Sequence, residues 1–375
     1  MQVNIRPVLL KSDLLKFIRC QWNFYTNDPN FVPPLISDRL KLLDKKKNPF
    51  YAHSKMQLFL AESESKIVGR IAAIVNDNHN KTHNDKTGFF GFFESIDDSS
   101  VASQLFITAE EWLKANGCDK VMGPMNPSIN DEIGLLIEGF DSPPVILMTY
   151  NPQYYGKLIE NAGYAKAKDL FAYHLKNETY LSEKADRMQT LIRERYQIKI
   201  RSIDFKNKKQ FKEDVATLRD IYNVAWQQNW GAVKMTDEEF DFLAADLKQI
   251  ADPNLCIIAE VKGKVAGFGL ALPDINECLI HNKKGGLLGA LWQLMTKQKK
   301  ISLARIIVLG VLPEFRNIGL DAILYYEFGT RAAKRGILRG EASWILEDNL
   351  MMNRALTATM HGEVYKKYRL YDKTL

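Results

Sequence analysis

The same succession of predicted elements occurs twice along the 375-residue chain, and that repetition constrains the fold more than any single motif. The first half opens with a strand at 3–8 and a helical pattern running from an N-cap at Ser12 through Leu14, Leu15, Ile18 and Trp22 to about Asn27. Asp28-Pro29 ends it, and the irregular stretch NFVPPLISDRL follows. Two apolar runs at 56–64 and 66–75 read as a hairpin. A polar loop, NDNHNKTHNDKTG, leads to the aromatic strand GFFGFFES. A helix over 99–116, stopped by Gly117, is followed by a strand over 120–125 and a dense polar loop. A strand over 145–150, a helix starting at Pro152 and a strand over 169–175 complete the unit.

The second half repeats the order. It has a strand at 197–203, helices at 207–228 and 236–250, and a hairpin over 255–261 and 264–272. After an insert come a strand at 301–312, a helix at 316–334, a strand at 338–346, a helix at 350–360 and a strand at 364–371. The expected fold is α/β (α+β), with two tandem units of mixed sheet flanked by helices. The ranges are 1–176 and 197–375, joined by the charged, helix-prone connector 177–196.

Composition bounds the function. With 46% hydrophobic and 26% charged residues the chain can bury two cores. No apolar run approaches the roughly 20 residues needed to span a bilayer. The N-terminus has no signal-peptide pattern, so a cytoplasmic location is expected. Cys20, Cys118, Cys256 and Cys278 are scattered without C-x-x-C spacing, which predicts reduced thiols rather than disulfides or a metal site. A net charge of +6 suits anionic ligands or an acidic membrane surface and falls short of a nucleic-acid footprint. His79 and His83 have metal-ligand spacing but sit in a loop pattern, so no metal is expected.

The stretch ISLARIIVLGVLPEFRNIGL at 301–320 carries chemistry. A buried β-branched strand enters a Pro-containing turn and then Arg-x-x-Gly before a helix. Such a turn aims main-chain N–H groups at one point, where a pyrophosphate fits; an ordinary strand-to-helix connection is the alternative. The polar loop GPMNPSINDEIG packs Asn126, Ser128, Asn130, Asp131 and Glu132 after a strand, where an open α/β sheet presents ligands. Its carboxylates can accept a proton from an ammonium, and its amides and hydroxyl can hold a polar head group; capping side chains in a turn are the plainer reading. Tyr150 and Asn151 are further binding candidates, and Glu94, bordered by phenylalanines, is a second candidate base. His53 and His361 are single histidines; His361, beside Gly362, stays an outside candidate for proton transfer.

The 301–320 stretch resembles the coenzyme A loop of the GNAT (GCN5-related N-acetyltransferase) superfamily, whose pattern V-x-x-x-x-[RQ]-x-x-G-x-[GA] falls on Val311, Arg316 and Gly319. The hairpin VKGKVAGFGLALP upstream and GEASWILED, NLMMNRALTATMHG and EVYKKYRLY downstream extend the resemblance over 197–375. It implies that Leu309, Gly310, Val311, Arg316, Asn317, Ile318, Gly319 and Leu320 bind acyl-coenzyme A, the acyl donor, and that an acceptor amine attacks directly. Three departures stand out. Asp321 replaces a small residue, Ala358 stands where many members have a tyrosine acid, and the strand before the loop has no glutamate base. The first half is similar to the same fold, but its counterpart loop, ESIDDSSVASQL, is acidic and lacks glycine, which predicts no usual coenzyme A binding there. NPFYAH, GFFGFFE, GPMNPSINDEIG and MTYNPQYY also resemble a bacterial group that includes the ceramide synthases, which acylate a sphingoid amine. Three functions remain open: an N-acyltransferase on a small amine, a long-chain acyltransferase on a lipid amine, and a non-catalytic acyl or nucleotide sensor. The insert ECLIHNKKGGLLGALWQLMTKQKK reads as an interfacial helix meeting anionic lipid through 285–300, a lid over a long acyl chain, or an added core helix.

Overall fold

Long runs of β-branched and aromatic residues make the sheets, and the computed structural model describes residues 2–227 and 229–375. In chain order the first elements are β1 (Asn4–Pro7), α1 (Lys11–Arg19), α2 (Gln21–Phe24), α3 (Ile36–Leu42), β2 (Ser54–Ser63) and β3 (Lys66–Asn76). Next come α4 (Asp77–His83), β4 (Thr87–Ser95), α5 (Ser99–Ala115), β5 (Lys120–Gly123), β6 (Met125–Asn126), β7 (Glu132–Ile133) and β8 (Leu135–Glu138). They are followed by α6 (Tyr155–Asn161), β9 (Ala165–Lys176), α7 (Asn177–Tyr180), α8 (Glu183–Tyr196), β10 (Ile198–Ser202), α9 (Lys208–Ala225) and α10 (Asp237–Ile250). The chain ends with β11 (Cys256–Val261), β12 (Lys264–Pro273), α11 (Asn276–Leu279), α12 (Leu287–Lys297), β13 (Leu303–Val311), α13 (Leu320–Ala333), β14 (Arg339–Leu346), α14 (Leu350–Arg354) and β15 (Glu363–Thr374).

The duplication is visible in the pairing. β1, β2, β3 and β4 pair antiparallel in order, and β4 pairs parallel with β5. β10, β11, β12 and β13 repeat this, and β13 pairs parallel with β14. The parallel pairs require crossover helices, supplied by α5 and α13. In each unit a strand glycine lets the crossover helix pack close. A Cβ on Gly69 would come within 2.7 Å of Leu105 of α5, and one on Gly269 within 2.6 Å of Phe328 of α13.

The first unit comprises the residues up to Leu170 together with Cys278–Thr296 and Lys366–Leu375; the second comprises Phe171–Glu277 and Lys297–Tyr365. Neither unit is one continuous stretch of the chain. The last strand pairs with β5 (Tyr371 opposite Gly123) and with β8 (Arg369 opposite Leu135), and sequence order cannot reveal such pairing. The first core gathers β3 and β4, buried along nearly their whole length, against Val101, Leu105, Phe106, Ala109 and Leu113 of α5. Phe93, Phe106, Tyr155 and Tyr164 form its aromatic centre. The second core sets Leu218 and Ile221 of α9 against Ile258 and Phe268.

Several expected elements differ. Leu10, not Ser12, precedes α1, and the helix breaks at Cys20, whose thiol donates to the Phe17 carbonyl. The polar run at 77–83 is a helix, because the Asn76 side chain accepts the Asn78 and His79 N–H groups and caps its start. Residues 145–150 form no strand, and the next helix starts at Tyr155 rather than Pro152. The helix expected from 316 starts at Leu320, since Asn317 (φ +67°) and Gly319 (φ +79°) hold a turn.

Candidate active site

The strands around 301–320 separate where the sequence motif begins. β13 and β14 pair only from Leu303–Arg339 to Ile306–Ala342, although β13 continues to Val311 and β14 to Leu346. On its other edge β13 pairs with β12 and carries a bulge at Ile307. The main chain of Leu309, Gly310 and Val311 thus lies beyond the split, on an edge free of β14. Gly310 is closed on one side by the Trp226 ring, which a Cβ there would approach to 2.7 Å.

From Val311 the chain makes a short 3-10 turn, and Arg316, Asn317, Ile318 and Gly319 lead into α13. Gly319 is the N-cap in left-handed geometry, and no side chain caps the helix. The first-turn N–H groups of α13, starting at Leu320, are therefore available to an external anion, and the helix dipole adds positive potential. Arg316 is exposed; its guanidinium reaches the Val311 and Ala225 carbonyls at 3.4 and 3.5 Å.

The first unit has closed both of these openings. Its crossover helix α5 is capped by its own carboxylate: Asp98 accepts the Ser100 N–H at 2.8 Å and the Val101 N–H at 3.3 Å, so negative charge already sits at the anion position. β4 and β5 also part after Phe89–Met122, but β6 lies against β4 there. A Cβ on Gly91 would fall 1.8 Å from the Met125 carbonyl oxygen, and the Phe92 N–H donates to Asn126 Oδ1 at 2.6 Å. The sequence showed the acidic loop; the plug of β6 could not be read from it.

The remaining candidates divide by what holds them. Glu94 is buried with Arg70 at 3.2 Å, accepts the Tyr155 hydroxyl at 2.6 Å and faces Tyr25 Oη at 3.5 Å. Burial pushes its carboxyl above the usual range, against the pull of Arg70 and the two hydroxyls. Glu132 pairs with Arg39 at 2.7 Å and with Asn126 Nδ2 at 3.4 Å. Asp131 accepts the Ser128 hydroxyl at 2.6 Å, and Ser128 Oγ accepts the Asn130 N–H, an arrangement that closes the turn. The Tyr150 hydroxyl donates to Asp28. Asn151 is buried and brackets β8, accepting the Leu136 N–H and donating to the Leu136 and Pro152 carbonyls. Asn126, Glu132, Asn130, Asp131 and Ser128 thus share one loop, while Glu94 lies in the core.

Sequence reasoning missed a second buried polar group, beside the β13–β14 split. Glu341 is fully buried, opposite Arg305 in the parallel register, with Arg305 Nε 3.7 Å from its carboxylate. The Ser343 hydroxyl donates to Glu341 at 2.7 Å, and the half-buried Tyr365 hydroxyl makes a short bond to its other oxygen. His174 packs edge-on against Tyr365, and its pKa is lowered by burial. Strict alternation along β12 puts Leu272, the partner of Arg305, on the same face as Leu270 and Phe268, which pack with α9. The cluster therefore lies on that face, with Ser343 the first β14 residue past the split. The available signal was a glutamate inside the apolar strand GEASWIL.

No family model matches the chain. It is 37% identical over 387 residues to a protein named bacterial ceramide synthase from Caulobacter vibrioides, covering 100% of this chain and 98% of that one. It is 37% identical over 379 residues to Protein YghO of Escherichia coli K12, covering 99% and 95%. The chain belongs to the bacterial ceramide synthase family of GNAT-fold proteins. A tandem GNAT protein from the clavulanic acid biosynthesis pathway superposes with a TM-score of 0.56 at 10% identity, over 100% of this chain and 98% of that one. A GCN5-related N-acetyltransferase from Sphaerobacter thermophilus gives 0.55 at 12%, over 99% and 95%. These similarities establish the tandem GNAT fold. Membership of the ceramide synthase family makes the chain an acyltransferase. Among the described residues no group of three His, Cys, Asp or Glu side chains is arranged to hold a metal, and His79 instead pairs with Asp85 at 3.5 Å and packs on Phe89.

Proposed function

We propose that the chain transfers an acyl group from acyl-coenzyme A to the nitrogen of a lipid amine, with the donor held by the second unit. The observation that carries the reading is the uncapped, exposed mouth of α13 following the β13–β14 split, set against the self-capped and plugged counterpart in the first unit. The diphosphate of the donor fits the N–H groups from Asn317 to Leu320 with Arg316 beside them, and the amide-bearing arm fits the free edge of Leu309–Val311. The Trp344 indole N–H, two residues past the last β13–β14 pair, is buried without a hydrogen-bond partner, and the Arg305 guanidinium lies over its ring.

In this reading a strand N–H polarises the thioester carbonyl and a neutral amine attacks its carbon. The C–N bond forms, the C–S bond breaks, and the proton leaving nitrogen ends on sulfur. We assign its transfer to the Tyr365 hydroxyl, poised by Glu341, Ser343 and Arg305. Glu94, Asp131 and Glu132 are each engaged within the first unit. Tyr365 and Glu341 supply the hydroxyl and carboxylate that are missing at 358 and on β13, from β15 and β14 instead.

The name of the Caulobacter relative favours a sphingoid amine and a long acyl chain over a small amine and acetyl transfer. Thiol release measured with acetyl-, palmitoyl- and stearoyl-coenzyme A, each against a sphingoid amine and a panel of amino acids, tests both points. Turnover is expected for a long-chain donor with the sphingoid amine. Strict preference for acetyl-coenzyme A sinks the lipid reading; release from no donor sinks coenzyme A dependence.

A further inference from the structure

Helix α12 presents its apolar side outward. Leu288 is 83% exposed, Met295 75% and Trp292 66%, and Leu287 and Leu291 are exposed beside them. These positions form one stripe along the helix, while Gly289, Ala290, Gln293 and Leu294 on the other side face the protein. A surface helix ordinarily buries its apolar stripe, so this orientation is inverted.

The mount is specific, which separates this face from a loosely packed end. The Trp22 indole donates to the Lys283 carbonyl at 2.7 Å, and the Ile36 N–H donates to the Gly285 carbonyl at 3.0 Å. Gly285, at φ +63°, sits so tightly that a Cβ would meet the Pro34 oxygen at 2.5 Å. Asn282 donates to the Gly286 carbonyl and fills the space beside Gly289. The helix is held within the first unit with its stripe turned to solvent.

Charge selects the partner. α12 contains no acidic residue; Lys283 and Lys284 precede it, and Lys297, Lys299 and Lys300 close the segment, all but Lys297 exposed. An apolar stripe with a tryptophan, bracketed by lysines, matches an anionic bilayer surface, where the ring and leucines enter the acyl boundary and the ammonium groups meet phosphates. A protein partner or a second copy would gain nothing from lysines at both ends unless it were acidic there. Among the described residues no helix is long and apolar enough to cross a membrane, so attachment through this face is peripheral. We propose that α12 docks the protein on anionic membrane, parallel to the surface; the docking does not rest on the lipid-amine reading.

Flotation of the full chain with phosphatidylglycerol–phosphatidylcholine vesicles, against pure phosphatidylcholine, tests the docking. The wild type is expected to float with anionic vesicles, tenfold less with neutral ones, and to be released by high salt. A triple variant, L288E/W292E/M295E, is expected to stay in solution with unchanged circular dichroism and unchanged release of thiol with a short-chain, water-soluble analogue of the sphingoid amine. K283Q/K284Q/K299Q/K300Q is expected to lose the preference for anionic lipid. Failure of the wild type to float at low salt overturns the proposal, and so does equal flotation of the triple variant. A wild-type dimer in light scattering that the triple variant abolishes, with no flotation, assigns the face to a second copy and overturns it as well. Loss of turnover with every amine while flotation persists refutes the enzymatic reading and leaves the docking intact.

Discussion

Replacing Gly319 by alanine separates the donor loop from the fold that carries it. Gly319 sits at φ +79°, where a side chain costs roughly 1–2 kcal/mol. Its Cβ would meet only the Ile192 Cδ1 atom, at 3.2 Å, the mobile end of a side chain that gives by a few tenths of an ångström. For a unit of this size that strain lowers Tm by about 2–8 °C. Binding suffers more. The turn either relaxes away from positive φ or keeps a methyl where the anion approaches, and at least one N–H to the diphosphate is misdirected. A hydrogen bond to a charged group contributes about 1.5–3 kcal/mol, so affinity for coenzyme A should fall roughly 10- to 150-fold. Calorimetric titration with coenzyme A beside a thermal melt reads both quantities. Unchanged affinity refutes the assignment of the loop. A fall in Tm beyond about 15 °C would mean that Gly319 acts through the fold, and Arg316→Gln, an exposed site, then tests the loop without strain.

Three further outcomes are expected. Glu341→Gln removes the carboxylate and turns one of its two acceptor oxygens, which receive the Ser343 and Tyr365 hydroxyls, into an NH2 donor; kcat should fall about 100-fold or more while KM for acyl-coenzyme A changes less than about threefold, with Tyr365→Phe behaving alike. Stability should fall as well, since buried Arg305 loses its carboxylate partner as Arg70 does in Glu94→Gln, so the kinetic split decides: a rise in KM that matches the fall in kcat would mark a structural role instead. Glu94→Gln strands Arg70, so the first unit should lose about 3–5 kcal/mol in chemical denaturation, while the residual folded protein keeps its kcat; a catalytic base would show the reverse. His79 titrates at about 4 in the fold against 6.5 when exposed, because burial disfavours its charged form. The unfolded chain therefore binds the proton first, and stability falls as pH drops from about 6.5 toward 4, by up to about 3 kcal/mol. His79→Leu should flatten that slope relative to wild type, and identical slopes would remove the assignment.

Local chemistry in the sequence determined the repeated strand–helix order, the hairpins at 54–76 and 256–273, and the Arg-x-x-Gly turn, because apolar periodicity and glycine positions act over a few residues. The same residues showed that the first unit's loop is acidic and that α12 carries an apolar stripe. Tertiary structure alone decided the rest, because each feature joins residues far apart in the chain. Pairing of β15 with β5 and β8 moved the C-terminal strand into the first unit. The early end of the β13–β14 register opened the edge at 307–311, and the approach of Met125 to Gly91 closed its counterpart. Burial of Glu341 under Tyr365, and the turning of the α12 stripe to solvent by Trp22 and Gly285, depend on contacts spanning 24 and about 260 residues. Periodicity marks which face of an element is apolar; only packing sets what that face meets.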